Sequence, residues 1–187
     1  MPLLDRFQQD IKYVAHEIIT EFAKAWTKEV SLKRGDFLVK KGANHPYVYY
    51  VESGALHIFY PAEEKDLTIR LGYSDSFIAV FPSFLNEQAT TFHIQAIKAS
   101  RLIGIHKKDY FKAIAESEKL KIYWQKTLEH LVISQLDREV DLLITSPSER
   151  YQRVLARSPR LFQEIPFKLI ASYLRMTPET LSRLRRS

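Results

Sequence analysis

The five glycines divide this chain into two unlike parts, and that division constrains the fold more than any other feature. All of them lie before residue 105 of the 187 residues, at Gly35, Gly42, Gly54, Gly72 and Gly104. Glycine favours turns between strands and weakens helices, so the first part is predicted to be rich in short strands. The glycine-free remainder is predicted to be helical. The chain is therefore expected to have an α+β fold with its strands in the N-terminal part.

The first part contains the signals of a small barrel. Apolar residues at helical spacing predict an opening helix over residues 4–26. Runs of strand length then follow, separated by turn residues, at 37–40, 47–52, 55–60, 67–73, 92–97 and 102–105. Strands at such regular spacing are typical of an antiparallel β jelly-roll barrel. With a short helix over 109–115, residues 1–117 are predicted to form this barrel and its flanking helices.

Residues 118–144 contain neither glycine nor proline and predict one long helix. It would be about 40 Å long at ~1.5 Å per residue, which is more than one small barrel can cover. A second copy of the same helix is the expected partner, so 118–146 is predicted to be a dimerisation helix and hinge. The predicted dimer contacts are Trp124, Leu128, Leu131, Val132 and Leu136. The alternative is that the helix packs wholly against its own barrel.

The final stretch, residues 147–187, predicts a helix-turn-helix. A short helix over 167–174 precedes a second helix that begins after Thr177, whose hydroxyl can cap it. Pro178 suits the first helical position because its missing N–H costs nothing there, and Glu179 favours the same helix end. Such a short basic helix, held by a partner helix, suits insertion into the DNA major groove. An ordinary helical hairpin with a solvated basic face is the alternative.

The net charge of +6 comes from the same stretch. Residues 148–187 carry nine Lys and Arg against three Glu, whereas the charges of residues 1–147 cancel. Eight of the nine cations are Arg, which suits bidentate contacts to phosphate and guanine. A basic surface confined to a helix-turn-helix indicates a nucleic-acid binder.

Several function classes are disfavoured by composition and spacing. The chain has no cysteine, which excludes disulfides, thiol catalysis and cysteine-bound clusters and fits a cytoplasmic location. The six histidines form no His-x-His pair, and no catalytic Ser-His-Asp spacing or P-loop is present. We therefore expect no enzyme, metal or cofactor, although a haem sensor with histidine ligation stays open. No run approaches a membrane span, and no secretory signal opens the chain.

The order of barrel, long helix and terminal helix-turn-helix resembles the Crp/Fnr family of bacterial transcription regulators. The motifs that carry the resemblance are Gly35-Asp36-Phe37, Tyr49-Tyr50-Val51-Glu52-Ser53-Gly54, Ser76-Phe77-Ile78, Pro147-Ser148-Glu149-Arg150-Tyr151 and the stretch 170–183. The resemblance covers essentially the whole chain. It implies a homodimer that binds double-stranded DNA and is regulated by a small effector in the barrel.

The resemblance also implies which residues contact DNA. In the family, a Glu and an Arg four residues apart in the recognition helix contact base edges, and Glu179 and Arg183 have that spacing here. Thr180 occupies the place of a phosphate-contacting residue. The full predicted DNA-binding set is Thr177, Glu179, Thr180, Ser182, Arg183, Arg186 and Arg150.

Two departures from the family pattern affect these expectations. Ala79-Val80 and Thr90-Thr91 replace the Gly-Glu and Arg-Ser pairs that hold a cyclic nucleotide, so tight binding of cyclic AMP is not expected. The predicted effector-lining residues are Tyr49, Phe59, Arg70, Ala79, Val80, Thr90 and Thr91. Family members also continue into a β-hairpin wing, which is expected to be absent here. A protein-interaction or ligand-binding module that has lost DNA binding is therefore the alternative function.

Overall fold

A computed structural model of the chain describes residues 2–10 and 16–186. The strands are β1 (Lys28–Leu32), β2 (Phe37–Val39), β3 (Tyr47–Ser53), β4 (Ala55–Tyr60), β5 (Leu67–Tyr73), β6 (Phe77–Ala79), β7 (His93–Ala96) and β8 (Ser100–His106). The helices are α1 (Pro2–Asp10), α2 (His16–Lys24), α3 (Phe81–Asn86), α4 (Lys107–Glu116), α5 (Glu118–Leu143), α6 (Pro147–Arg157), α7 (Leu161–Glu164), α8 (Phe167–Tyr173) and α9 (Pro178–Arg186). This α+β composition confirms the predicted fold class.

The eight strands form two four-stranded antiparallel sheets, in the orders β1-β8-β3-β6 and β2-β7-β4-β5. Apolar side chains from both sheets meet in one core, which includes Tyr49, Val51, Leu56 and Ile94. The predicted jelly-roll barrel is therefore confirmed. Strands β1 and β6 and helices α3 and α7 were not predicted from the sequence.

The N-terminal helices cover the outer face of the sheet that contains β3. The predicted single helix over 4–26 is replaced by α1 and α2, and residues 11–15 between them lie outside the described residues. Phe7 on α1 packs against Phe22 on α2 with ring centroids 5.0 Å apart. Trp26 continues this aromatic layer at 5.6 Å from Phe7 and is almost fully buried.

Helix α5 begins and ends within one residue of its prediction. Ser117 fixes its start by accepting a hydrogen bond from the Leu120 N–H. Its first half packs on the aromatic layer, where Trp124 meets Tyr110 at 5.5 Å. Its second half exposes an apolar stripe that includes Val132 and Leu136, at 61% and 57% exposure. Among the described residues, no helix is long and apolar enough to cross a membrane.

The C-terminal helices α6 to α9 share a core of their own and also pack on the barrel. Ala55 of β4 is fully buried within this core, and α8 lies along β5. Thr68 of β5 and Ser172 of α8 share a hydrogen bond at 2.9 Å between their hydroxyl oxygens. The helix-turn-helix is therefore held against the sheet that faces it.

Candidate functional site

The turn between α8 and α9 fixes how the second helix is presented. Arg175 adopts the left-handed conformation at φ 52°. The Met176 N–H then donates to the Ala171 carbonyl at 3.0 Å, and the Arg175 N–H donates to the Ser172 carbonyl at 3.1 Å. These two bonds make a Schellman motif, which ends α8 and redirects the chain within four residues.

Thr177 begins α9 in the way the sequence predicts. Its hydroxyl accepts a hydrogen bond from the Thr180 N–H at 3.2 Å, and its carbonyl accepts one from the Leu181 N–H at 3.1 Å. Leu181 is fully buried in the C-terminal core and anchors the helix. The cap and the anchor together leave the opposite side of α9 facing outward.

One face of α9 forms a shallow groove with the start of α8. The groove is lined by Phe167, Pro178, Glu179, Ser182, Arg183 and Arg186. Glu179, Arg183 and Arg186 are exposed, whereas Thr180 is half-buried and its hydroxyl lies 3.2 Å from the Thr177 hydroxyl. The pKa of Glu179 is lowered by a hydrogen bond from its own backbone N–H and by a second one from Thr177. An anionic acceptor and two cationic donors therefore stand side by side on an accessible helix face.

Arg150 lies beneath the turn rather than on the surface. It is only 9% exposed, and its guanidinium donates to the carbonyls of Leu174 at 2.9 Å and Arg175 at 3.2 Å. It also donates to the carbonyls of Ile144 and Thr145 at the end of α5. The structure thus corrects the prediction of a DNA contact for Arg150, because its N–H groups satisfy helix-end carbonyls in the interior.

Part of the basic charge of the C-terminal stretch is also neutralised inside the protein. Asp141 of α5 is fully buried and accepts from Arg153 at 2.9 Å and from Arg157. Arg160 pairs with Asp75 of the barrel at 2.9 Å. Within the described part of the chain, the cations near the helix-turn-helix that are exposed and make no ion pair include Lys168, Arg183, Arg185 and Arg186. These are the cations left to meet phosphate.

A second candidate site is a cavity of about 280 Å³ between the barrel and α5. Its walls are mostly apolar and include Trp26, Ile58, Phe77, Phe84, Phe92, Tyr110, Trp124 and Leu131. Arg70 of β5 is also among its lining residues and donates a hydrogen bond to Gln135 of α5 at 2.8 Å. The cavity is therefore an apolar chamber with a guanidinium group on its wall.

Only two of the seven predicted effector-lining residues, Arg70 and Ala79, line this cavity. Tyr49 and Val80 instead fill the barrel core. Phe59 is buried on the other side of β4, where it stacks on His57 with centroids 4.6 Å apart. These three residues therefore do not line this cavity, because the sequence does not show to which face of its strand a side chain points.

The two threonines of the predicted set also lie elsewhere. Thr90 is buried, and its hydroxyl accepts a hydrogen bond from the Phe92 N–H at 3.2 Å. Thr91 is exposed and does not line the cavity. Sequence reasoning missed the α5 wall, although Tyr123, Thr127 and Leu131 share one helix face at steps of four. That periodicity was the signal that could have found them.

The predicted dimer residues separate into two groups on α5. Trp124 and Leu131, both predicted to be dimer contacts, line the cavity and face their own barrel. Val132 and Leu136 are exposed, and Leu128 is half-buried beside them. Packing on its own barrel, the alternative for this helix, therefore holds for one face and not for the other.

The sequence of the barrel decides which fold family it represents. Residues 29–117 match the model of the family described as the cyclic nucleotide-binding domain. The barrel is a cyclic nucleotide-binding domain. Within the described residues, no group of three histidine or carboxylate side chains could hold a metal ion near it.

Solved structures extend the likeness of this cyclic nucleotide-binding domain to the whole chain. The catabolite activator protein of Thermus thermophilus is 20% identical with a TM-score of 0.59, over 100% of this chain and 85% of that one. FixK2 of Bradyrhizobium japonicum is 18% identical with a TM-score of 0.70, over 85% of this chain and 82% of that one. DNR of Pseudomonas aeruginosa is 20% identical with a TM-score of 0.57, over 97% of this chain and 85% of that one.

The cyclic nucleotide-binding domain, the long helix and the C-terminal helices together have the fold of the Crp/Fnr transcription regulators. DNR of Pseudomonas aeruginosa is a transcriptional regulator. No protein of curated function matches the chain in sequence.

Proposed function

We propose that the chain is a cytoplasmic transcription regulator that binds double-stranded DNA as a homodimer, with α9 in the major groove. The observation that carries the proposal is the exposed face of α9, on which Glu179 and Arg183 project together beside Arg186. The Crp/Fnr-like fold supports it, because the same succession of elements occurs in the regulators named above.

The chemistry of this face suits base recognition. Arg183 can donate two hydrogen bonds to guanine O6 and N7, and the ionised Glu179 can accept from a cytosine amino group. Thr177, Thr180, Ser182 and Arg186 surround them and supply hydroxyl and cationic donors for phosphates. The free cations Lys168 and Arg185 add attraction that does not depend on sequence.

The exposed stripe of α5 supports the dimer. Val132, Leu136, Val140 and Leu143 follow one another at steps of four, four and three, and each is at least 44% exposed. A stripe with this spacing is the seam of a helix pair. Two copies related by a two-fold axis would present two α9 helices to half-sites about 34 Å apart, one helical turn of DNA.

The barrel is proposed to sense a small effector other than cyclic AMP. Ala79 and Val80 stand where the family's nucleotide-binding members have a Gly-Glu pair, and Thr90 and Thr91 stand where they have Arg-Ser. Val80 and Thr90 are almost fully buried, at 1% and 2% exposure. Both are uncharged, so neither position offers a cation to a cyclic phosphate. An anion enclosed without its charge partner is strongly disfavoured. Isothermal calorimetry should show no binding of cyclic AMP, and micromolar affinity would overturn this part of the proposal.

Replacing Arg183 tests the DNA-binding proposal. Arg183→Ala should weaken binding to a selected operator by about 1–3 kcal/mol more than it weakens binding to random duplex, because a base contact is lost together with one positive charge. Fluorescence anisotropy with both duplexes at one fixed salt concentration measures the two affinities.

Arg185→Ala is the matched control, since Arg185 is exposed on the same helix but does not line the groove. It should weaken both duplexes by a similar small factor. Equal losses on both duplexes for Arg183→Ala would contradict the base contact. Failure of the unaltered protein to bind any duplex would favour a module that has lost DNA binding.

A further inference from the structure

The cavity between the barrel and α5 contains a hydrogen-bond donor without an acceptor. Trp26 lines this cavity and is 3% exposed. Its indole Nε1 is buried and has no hydrogen-bond partner among the described residues. Buried donors are nearly always paired, so an orphaned one at a cavity wall indicates an acceptor that the chain does not itself supply.

Ordered water is a poor candidate for that acceptor. A buried water needs two to four polar partners, and the walls around Trp26 are mostly apolar and aromatic. Phe77, which also lines the cavity, lies 5.7 Å from the Trp26 ring between ring centroids. An organic molecule that presents an acceptor oxygen and covers these walls matches both features at once.

A positive charge on the cavity wall indicates more closely which chemical class of ligand fits. Arg70 lines the cavity, is exposed to solvent and donates a hydrogen bond from Nη2 to Gln135, a neutral residue. Its guanidinium therefore has free N–H donors, and they suit a carboxylate. Gln135 lies on α5, so a ligand anion at Arg70 would sit at the junction of the barrel and that helix.

The size of the cavity sets an upper limit on the ligand. A volume of about 280 Å³ lies just below the roughly 300–1,000 Å³ that is typical of small-molecule sites, so the ligand is expected to be small. An acid with a chain or ring of that size would fill the space.

We propose that this cavity binds a small apolar carboxylic acid, whose carboxylate accepts hydrogen bonds from both Arg70 and the Trp26 indole N–H. The inference rests on the proposed sensor role of the barrel and names the class of effector. Aliphatic and aromatic acids share this chemistry, and decanoate and 4-phenylbutyrate represent the two sources.

Intrinsic fluorescence measures this binding directly, because Trp26 and Trp124 are the two tryptophans of the chain and both line the cavity. Titration of the full chain with each acid should change the emission saturably. Decanol, which has the same length but no charge, should bind about tenfold more weakly than decanoate, since it lacks the charge-assisted bond. The acid that binds more tightly shows whether the cavity prefers an aliphatic or an aromatic acid.

Two variants test the two polar contacts. Arg70→Gln should weaken decanoate about tenfold and leave decanol unchanged, whereas Lys65→Gln, which removes an exposed charge outside the cavity, should change neither. Trp26→Phe keeps an aromatic ring and should weaken the acids about fivefold through loss of one hydrogen bond, with Trp124 as the remaining reporter.

Absence of a saturable change with either acid, or equal affinities of wild type and Arg70→Gln for decanoate, would overturn the inference. DNA binding is measured on the same samples by anisotropy, so failure of the ligand proposal can be distinguished from failure of the DNA-binding proposal. Acid binding without any DNA binding would leave the ligand class standing and reject the regulator.

Discussion

Arg175 is a residue whose backbone conformation is unfavourable for its side chain. Its φ of 52° lies in the left-handed region, which glycine adopts freely and other residues adopt at a cost of about 1–2 kcal/mol. The conformation is imposed by the Schellman bonds that end α8. The Arg175 carbonyl also accepts from the buried Arg150 guanidinium, at 3.2 Å. The turn that presents α9 is thus held by its surroundings against a local preference.

Arg175→Gly should therefore stabilise the protein by roughly 0.5–1 kcal/mol, the relief of the left-handed strain less the added chain entropy of glycine. The hydrogen bond from Arg150 would persist, because it uses the backbone carbonyl. Urea unfolding followed by circular dichroism measures the change. Arg175→Ala is the control, since it removes the same side chain but keeps the strain. An equal gain in the alanine variant would show that the side chain, and not the backbone, carries the cost.

At the scale of elements, α5 presents two apolar faces with different partners. One face covers the barrel cavity through Trp124 and Leu131. The other exposes Leu136 at 57% and Leu143 at 74%. A surface helix normally turns such apolar side chains toward the core of its own domain. A helix with both faces apolar needs a partner beyond its own chain, and the stripe geometry favours a second copy.

Leu136→Glu should convert the proposed dimer to monomer. A carboxylate at the centre of the stripe would have to be buried unpaired, which weakens association by roughly a hundredfold or more. Analytical ultracentrifugation at micromolar concentration measures the mass. His130→Glu places the same carboxylate at an exposed position on another side of this helix and should remain dimeric. A monomeric wild-type protein, or a dimeric Leu136→Glu variant, would refute the helix seam.

The elements show where sequence reasoning succeeds and where it stops. Strands β4 and β5 have the predicted bounds, because Gly54 and the polar turn at 63–66 delimit them. Strand β1 was missed because its residues are mostly exposed and its charged residues obscure the apolar alternation. Strand β6 was missed because it has only three residues. The same limit applies at the site. The charge of Arg150 suggested a phosphate contact, whereas tertiary packing buries it beneath a helix end.

At the scale of the whole molecule, the barrel and the C-terminal helices are joined by a polar seam. Arg160 pairs with Asp75 at 2.9 Å, and Lys98 pairs with Glu164 at 2.9 Å. A third link passes through His57, whose Nε2 lies 2.9 Å from the Thr68 hydroxyl. Thr68 in turn bonds to Ser172 of α8. Each link joins the barrel to the C-terminal helices that carry α9.

The protonation of His57 gives this seam a measurable pH dependence. Burial lowers the pKa of His57 to about 4, from an ordinary value of 6.5. Between these values the unfolded chain binds a proton that the folded chain refuses, so stability is complete above pH 6.5 and falls as the pH drops toward 4. The pKa values of Asp75 and Glu164 are also lowered, by hydrogen bonds from Tyr50 and Lys98 respectively. The stability that these two carboxylates contribute is lost only below about pH 4.5, near the ordinary pKa values of carboxyl groups.

Between pH 6.5 and 4.5, His57 should therefore contribute a slope of up to about 1.4 kcal/mol per pH unit to the free energy of unfolding. The pKa of His45 is lowered by burial as well and adds a slope of the same sign, so the comparison must be made between variants. Urea unfolding of wild type and His57→Gln at pH 7.0, 5.5 and 4.5 isolates the His57 share. The variant should lose stability less steeply on acidification, by about one proton. Parallel profiles would mean that the pKa of His57 is the same in the folded and the unfolded chain, and would contradict the burial of a neutral imidazole in this seam.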